Sequence, residues 1–103
     1  MTPAEALFHK ITQETSEATP GKMFGALCIK APNNKAAVLF KNNNIAFKLP
    51  EPELSETLSL DGAKVFDPAD GRPMKGWAEL PFTYAEKWPE LAQKSLAFVK
   101  TLK

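Results

Sequence analysis

Small and apolar side chains recur at three- and four-residue intervals near the start of the chain, at Ala4, Leu7, Phe8, Ile11, Thr15 and Ala18. That spacing lays them along one stripe of a helix. Thr2 is placed to cap its start, Pro3 suits the first helical position, and Thr19-Pro20-Gly21 reads as its stop. The period then drops from three-four to two. Lys22–Lys30, Lys35–Lys41 and Asn44–Leu49 predict three strands, parted by Ala31-Pro32-Asn33-Asn34 and by Asn42-Asn43.

The Asn42-Asn43 pair sets the register of the second and third strands. Asparagine tolerates the left-handed backbone that a two-residue hairpin turn requires. Lys41 then faces Asn44, Phe40 faces Ile45 and Val38 faces Phe47. A three-residue turn would set Lys41 against Ile45 and spoil the alternation. A four-residue first loop sets Ile29 against Ala36 and Leu27 against Val38. One face of the sheet then carries Met23, Leu27, Ile29, Val38, Phe40, Ile45, Phe47 and Leu49. The other carries Lys22, Phe24, Ala26, Cys28, Lys30, Ala37, Leu39, Ala46 and Lys48. Its centre is small and apolar where a water-facing antiparallel sheet usually shows Thr, Ser, Glu or Arg, so this face calls for a cover.

Pro50–Ser59 predicts a short helix with Leu54 and Leu58 on one side and Glu51 and Glu53 in its first turn, where negative charge is favourable. Ala63–Phe66 and Met74–Leu80 predict a fourth and a fifth strand around the loop Asp67–Pro73. A last helix is expected from Thr83 to Thr101, with Trp88, Leu91, Ala92, Ser95, Val99 and Leu102 as its stripe and Phe98 at the border. The order is α-β-β-β-α-β-β-α. It predicts an α+β two-layer sandwich: a five-stranded antiparallel sheet with helices on one face, in a single domain over residues 1–103.

Composition narrows the class. Of the 103 residues, 44% are hydrophobic and 24% charged, enough apolar material for one core. No stretch approaches the ~18 consecutive apolar residues of a membrane span. The single cysteine excludes an internal disulfide, and with no basic-then-apolar leader pattern at Met1–Glu5 the expected compartment is the cytoplasm. The net charge of +1 gives no global attraction to nucleic acid or to an anionic membrane. The charge is uneven, however. Lys22, Lys30, Lys35, Lys41 and Lys48 fall in residues 21–50, which hold no carboxylate.

Parts for catalysis are few. His9 falls off the apolar stripe of its helix, and Cys28 sits mid-strand, so a Cys-His pair is not expected. Nothing has the spacing of a metal site or a phosphate loop, and turn chemistry accounts for Asp67 and Asp70. No catalytic residue, metal or cofactor is therefore assigned. Trp77 has two readings. With Ala78 and Leu80 (and Met74) turned to the helices, alternation sends Trp77 to the opposite face as a contact residue; with the parity reversed it is core.

Met23-Phe24-Gly25-Ala26-Leu27-Cys28-Ile29-Lys30 resembles the opening strand of the TfoX N-terminal domain family. Phe47-Lys48-Leu49-Pro50, Gly62–Pro68 and Gly71-Arg72-Pro73-Met74-Lys75-Gly76-Trp77 are similar to its later blocks, in the same order, from about Lys22 to the last helix. Where members often carry arginine before the Met-Phe-Gly block this chain has Gly21-Lys22, and lysine lacks arginine's bidentate fork. The resemblance implies the α+β fold shared with secretion-chaperone-like and YjbR-like domains. It also implies a short stand-alone relative of competence regulators, without their C-terminal helical domain. The leading expectation is thus a non-enzymatic cytoplasmic regulatory module that contacts a protein partner or a second copy of itself. Its contact surface would be Phe24, Cys28, Lys30, Leu39, Lys48, Arg72, Lys75 and Trp77. The alternative is nucleic-acid binding by the lysine strip, Lys22–Lys48, with Phe24 and Trp77 as stacking platforms. A small-molecule site or an enzyme comes last.

Overall fold

The computed structural model describes residues 2–23, 25–67, 71 and 73–102. The chain is α+β, and its elements follow in the order α1 (Pro3–Glu14), β1 (Thr19–Met23), β2 (Ala26–Lys30), β3 (Ala36–Lys41), β4 (Asn44–Lys48), α2 (Glu53–Leu58), β5 (Lys64–Val65), β6 (Trp77–Leu80), a 3₁₀ stretch (Phe82–Lys87) and α3 (Trp88–Val99). The six strands form one antiparallel sheet in the order β1-β2-β3-β4-β6-β5.

The β3–β4 hairpin has the expected register: Lys41 opposite Asn44, Phe40 opposite Ile45, Leu39 opposite Ala46, Val38 opposite Phe47. Asn42 and Asn43 both lie in the left-handed region, at φ 53° and 65°, as a two-residue turn with matching twist demands. The near face of the sheet thereby presents Val38, Phe40, Ile45 and Phe47 to the helices. They meet Ala4, Phe8 and Ile11 of α1 and Trp88, Leu91, Ala92, Leu96 and Val99 of α3 in one core. The rings of Phe8 and Phe40 lie 5.2 Å apart. Thr2 caps α1, its Oγ1 accepting from the Glu5 amide at 3.1 Å and donating to Asn43 Oδ1 at 2.6 Å, which ties the helix to the hairpin turn. At the far end of the molecule the Asn33 amide donates to the carbonyls of Val99 and Leu102, occupying acceptors that the end of α3 leaves over.

Several expectations are corrected. The sheet has six strands, because Lys22–Lys30 is not one strand. Gly25, at φ 73°, turns the chain between β1 and β2, so that Met23 faces Ala26. The turn also reverses parity before it: Met23 packs on the far face with Cys28, and Lys22, expected there, lies opposite Leu27 of the near face. Helix α1 stops at Glu14, where Thr15 leaves helical geometry and turns its hydroxyl back to the Ile11 carbonyl. Glu17 follows at φ 68°, and Thr19-Pro20-Gly21 becomes strand instead of helix stop. Pro20 is tolerated there because β1 is an edge strand.

Ile29 pairs with Val38 and Leu27 with Phe40, two residues away from the expected register. The irregularity after Ile29 sets Lys30 opposite Ala36. The extra residue, Ala37, joins the near-face core, while Ala36 packs on the far face. A shift of two keeps every other β2 side chain on its expected face. The final helix is broken: the Phe82–Lys87 turns are interrupted at Tyr84, whose hydroxyl donates to the Asp61 carbonyl, and α3 proper starts at Trp88 with Pro89 in its first turn.

The hairpin turn is the most exposed of these determinants to a single substitution. Asn42→Val puts a β-branched side chain into left-handed backbone and is expected to lower stability by about 1–2 kcal/mol. Asn42→Gly should leave it unchanged or raise it slightly, read as urea midpoints at constant slope.

Candidate functional site

The far face of the sheet is where the expected contact residues converge, and it is covered. Cys28, Leu39 and Ala46 lie side by side across β2, β3 and β4. Phe66 and Trp77 close over them, and Met23, Ala36 and Met74 pack around the edge. The two rings sit 6.2 Å apart. The segment after β5 delivers them: the Met74 amide donates to the Phe66 carbonyl at 2.7 Å and the Phe66 amide to the Trp77 carbonyl at 3.2 Å. The small side chains of the sheet centre leave the depth that two large rings fill.

The parity of Trp77 is as alternation set it, opposite to the buried Ala78 and Leu80. Yet Trp77 is only 4% exposed, and Cys28 and Leu39 only 1%. The expected open apolar docking surface is therefore corrected: Cys28, Leu39 and Trp77 form a second, smaller core. Met74, expected toward the helices, packs on this side as well. Phe24 and Arg72 lie outside the described residues.

Around this core the charged side chains divide. At one end Glu79 accepts from Asn44 Nδ2 at 2.7 Å and pairs with Lys64 at 3.8 Å; Lys41 and Asp67 line the same polar hollow. At the other end lies a groove of about 350 Å³. Lys22, Lys30, Lys35 and Lys48 line it together with Met23, Ala36, Met74 and Trp77. Three of the five lysines of the carboxylate-free segment, Lys30, Lys35 and Lys48, thus come to one place. Lys22 also borders the groove, but it pairs with Leu27, and the reversed parity starts its side chain on the helix side. Among the described residues no carboxylate lines the groove. Lys30 reaches it by lying over Gly21: a Cβ on Gly21 would stand 3.1 Å from Lys30 Cε and 3.3 Å from Cys28 Sγ. Lys75 is exposed next to Met74 and does not line the groove. Lys30 and Lys48 are identified from the sequence as contact residues and Lys35 as part of the lysine strip. Met23 and Met74 are expected on the helix side, Met23 because the run reads as continuous strand through the Gly25 turn, and Met74 because the alternation extends the strand back beyond Trp77, where β6 starts.

The remaining candidate chemistry is dispersed. Burial pushes the Cys28 thiol above its ordinary pKa, overcoming the opposite pull of the Lys30 charge, so the sulfur is held as neutral thiol. His9 is on α1, across the sheet from Cys28, and its Nε2 lies 3.5 Å from Glu5 Oε2. Among the described residues no group of three or more His, Cys, Asp or Glu side chains could hold a metal ion. No helix among them is long and apolar enough to cross a membrane. Compared with protein-family models and with curated proteins, the chain matches none.

Two outcomes follow for the second core. Trp77→Ala is expected to cost about 3–5 kcal/mol and to make Cys28 react with a thiol reagent many times faster than in the parent, where it is shielded. Because the folded-state thiol pKa is raised, its stabilising contribution is complete below the unfolded thiol value of about 8.5 and is lost as pH rises from there toward the folded value. Cys28→Ala should therefore flatten the alkaline fall of stability, measured by urea unfolding at successive pH values.

Proposed function

We propose that this chain is a non-catalytic, cytoplasmic interaction module that engages an anionic partner in the lysine-bordered groove on the far side of its sheet. The observation that carries this reading is the convergence there of Lys30, Lys35 and Lys48 from two strands and a loop. Ammonium groups brought into one groove raise its positive potential and its pull on anions. The lone thiol and the lone histidine lie on opposite sides of the sheet, and the thiol is buried and neutral, which favours binding over nucleophilic chemistry. The resemblance to TfoX N-terminal domains adds a regulatory role and the secretion-chaperone-like and YjbR-like architecture, a reading supported by the α+β order with α1 and α3 on one face of an antiparallel sheet.

A second copy is the weaker occupant. A two-fold contact through this groove would oppose lysines to lysines. The neighbouring edge strand β1 carries Pro20 and Lys22, which blunt edge-to-edge pairing.

The test is binding of a labelled polyanion, polyglutamate or a single-stranded oligonucleotide, at low salt. The parent is expected to bind at least one of them, with affinity that falls steeply as salt is added. The Lys30→Gln, Lys48→Gln double variant should bind about tenfold or more weakly. Lys10→Gln, on the helix side, should bind as the parent does. Absence of binding to both polymers, or equal loss in the Lys10 variant, overturns the reading.

A further inference from the structure

We infer that the occupant of the groove is an acidic polypeptide segment carrying an apolar side chain among its carboxylates. This rests on the groove's being an anion site and names what kind of anion it takes.

Three features of the groove separate a peptide from a nucleic acid. The first is the lining. Met23, Ala36 and Met74 are partly buried apolar groups that pack on the second core and also face the groove. Methionine is flexible and polarizable, and it re-packs around an incoming aliphatic group. A phosphate backbone gains nothing from such a surface, whereas a Leu or Ile flanked by carboxylates gains burial at the floor and charge pairing at the rim.

The second is that, among the described residues, no open aromatic face borders the groove. Non-specific recognition of single strands relies on aromatic faces on which bases stack. Among the described residues Trp77 is the aromatic one lining the groove, and at 4% exposure its ring is committed to Phe66, Cys28 and Leu39. The third is the kind of cation. Among the described residues, the charged ones lining the groove are all lysines. Their compact, flexible ammonium groups suit scattered carboxylates, without the planar fork with which arginine grips phosphates bidentately. The volume, about 350 Å³, holds a few side chains; a duplex groove-binder needs a far longer surface.

Four labelled probes distinguish the outcomes by fluorescence anisotropy on the full chain: an acidic peptide with a central Leu, the same peptide with Gly in its place, a single-stranded oligonucleotide and a duplex of equal charge. The Leu peptide is expected to bind about tenfold more tightly than the Gly peptide. Lys30→Gln with Lys48→Gln should weaken both peptides. Met74→Ala should abolish only the difference between them, and Lys35→Glu, at an exposed position, supplies a charge reversal that leaves the core untouched. If the Leu and Gly peptides bind equally, or if an oligonucleotide binds more tightly than either and does so through the same lysines, the peptide inference falls while the anion groove stands. If no probe binds, or none depends on the lysines, both fall. Lysine-dependent self-association in sedimentation would replace the peptide with a second copy and also overturns the inference.

Discussion

The parity of the β3–β4 hairpin is the constraint on which the rest of the molecule hangs. Two asparagines in left-handed backbone leave room for one register only. That register sends Val38, Phe40, Ile45 and Phe47 to one side and Leu39, Ala46 and Lys48 to the other. A slip of a single residue would exchange the two sets, expose four large apolar side chains and bury Lys41 and Lys48. Because β2 and β6 take their registers from β3 and β4, the hairpin also determines which of their residues meet the helices. Both cores, and the groove between the second core and the lysines, follow from that one turn.

How far this was legible in the sequence depends on the distance over which each signal acts. The Asn42-Asn43 register, the α1 stripe as far as Ile11 with its Thr2-Pro3 start, and the far-face parity of Cys28 and Leu39 are local. Neighbouring residues alone decide them, and they emerge correctly. The Gly25 turn is local too, but one glycine in an otherwise alternating run also fits an uninterrupted strand, and Met-Phe-Gly-Ala-Leu gives no polar punctuation. The irregularity after Ile29 is not local. It arises where β2 must match a β3 already fixed by the next hairpin, and the small Ala36 and Ala37 allow the extra residue at little cost. The early end of α1 reflects a competition. Ala18 continues the stripe, but the stretch Thr12–Ser16 carries hydroxyls that bond to backbone, and two of them do so, to Phe8 and Ile11.

The cover over the far face was the least legible part, for a physical reason. An apolar sheet centre of small residues is equally suited to a foreign partner and to a segment of its own chain. Phe66 and Trp77 are 38 and more residues away from Cys28 in sequence, and nothing in the alternation says that they fold inward. Energetics decides it. A tryptophan and a phenylalanine buried together stabilise by several kcal/mol, at about 25 cal/mol per Å² over roughly 150–250 Å² each. A tethered segment gives up less freedom on closing than a separate molecule does on binding. The intramolecular cover therefore outcompetes an external one of similar shape.

That closure changes what the lysines can do. On an open apolar face Lys30 and Lys48 would be the polar rim of a hydrophobic interface, contributing little to affinity. With the centre filled, the apolar area left at this end reduces, among the described residues, to Met23, Ala36, Met74 and Trp77, and the ammonium groups become the dominant feature. Gly21 strengthens the effect: a side chain there would lift the Lys30 stem, and its absence lets the charge lie along the sheet toward the groove. The same fold that removes a hydrophobic docking site thus concentrates charge beside it. Near-neutral composition conceals this, since the carboxylates that balance the lysines in the sequence lie mostly on α1, on and around α2, and at the opposite end of the far face.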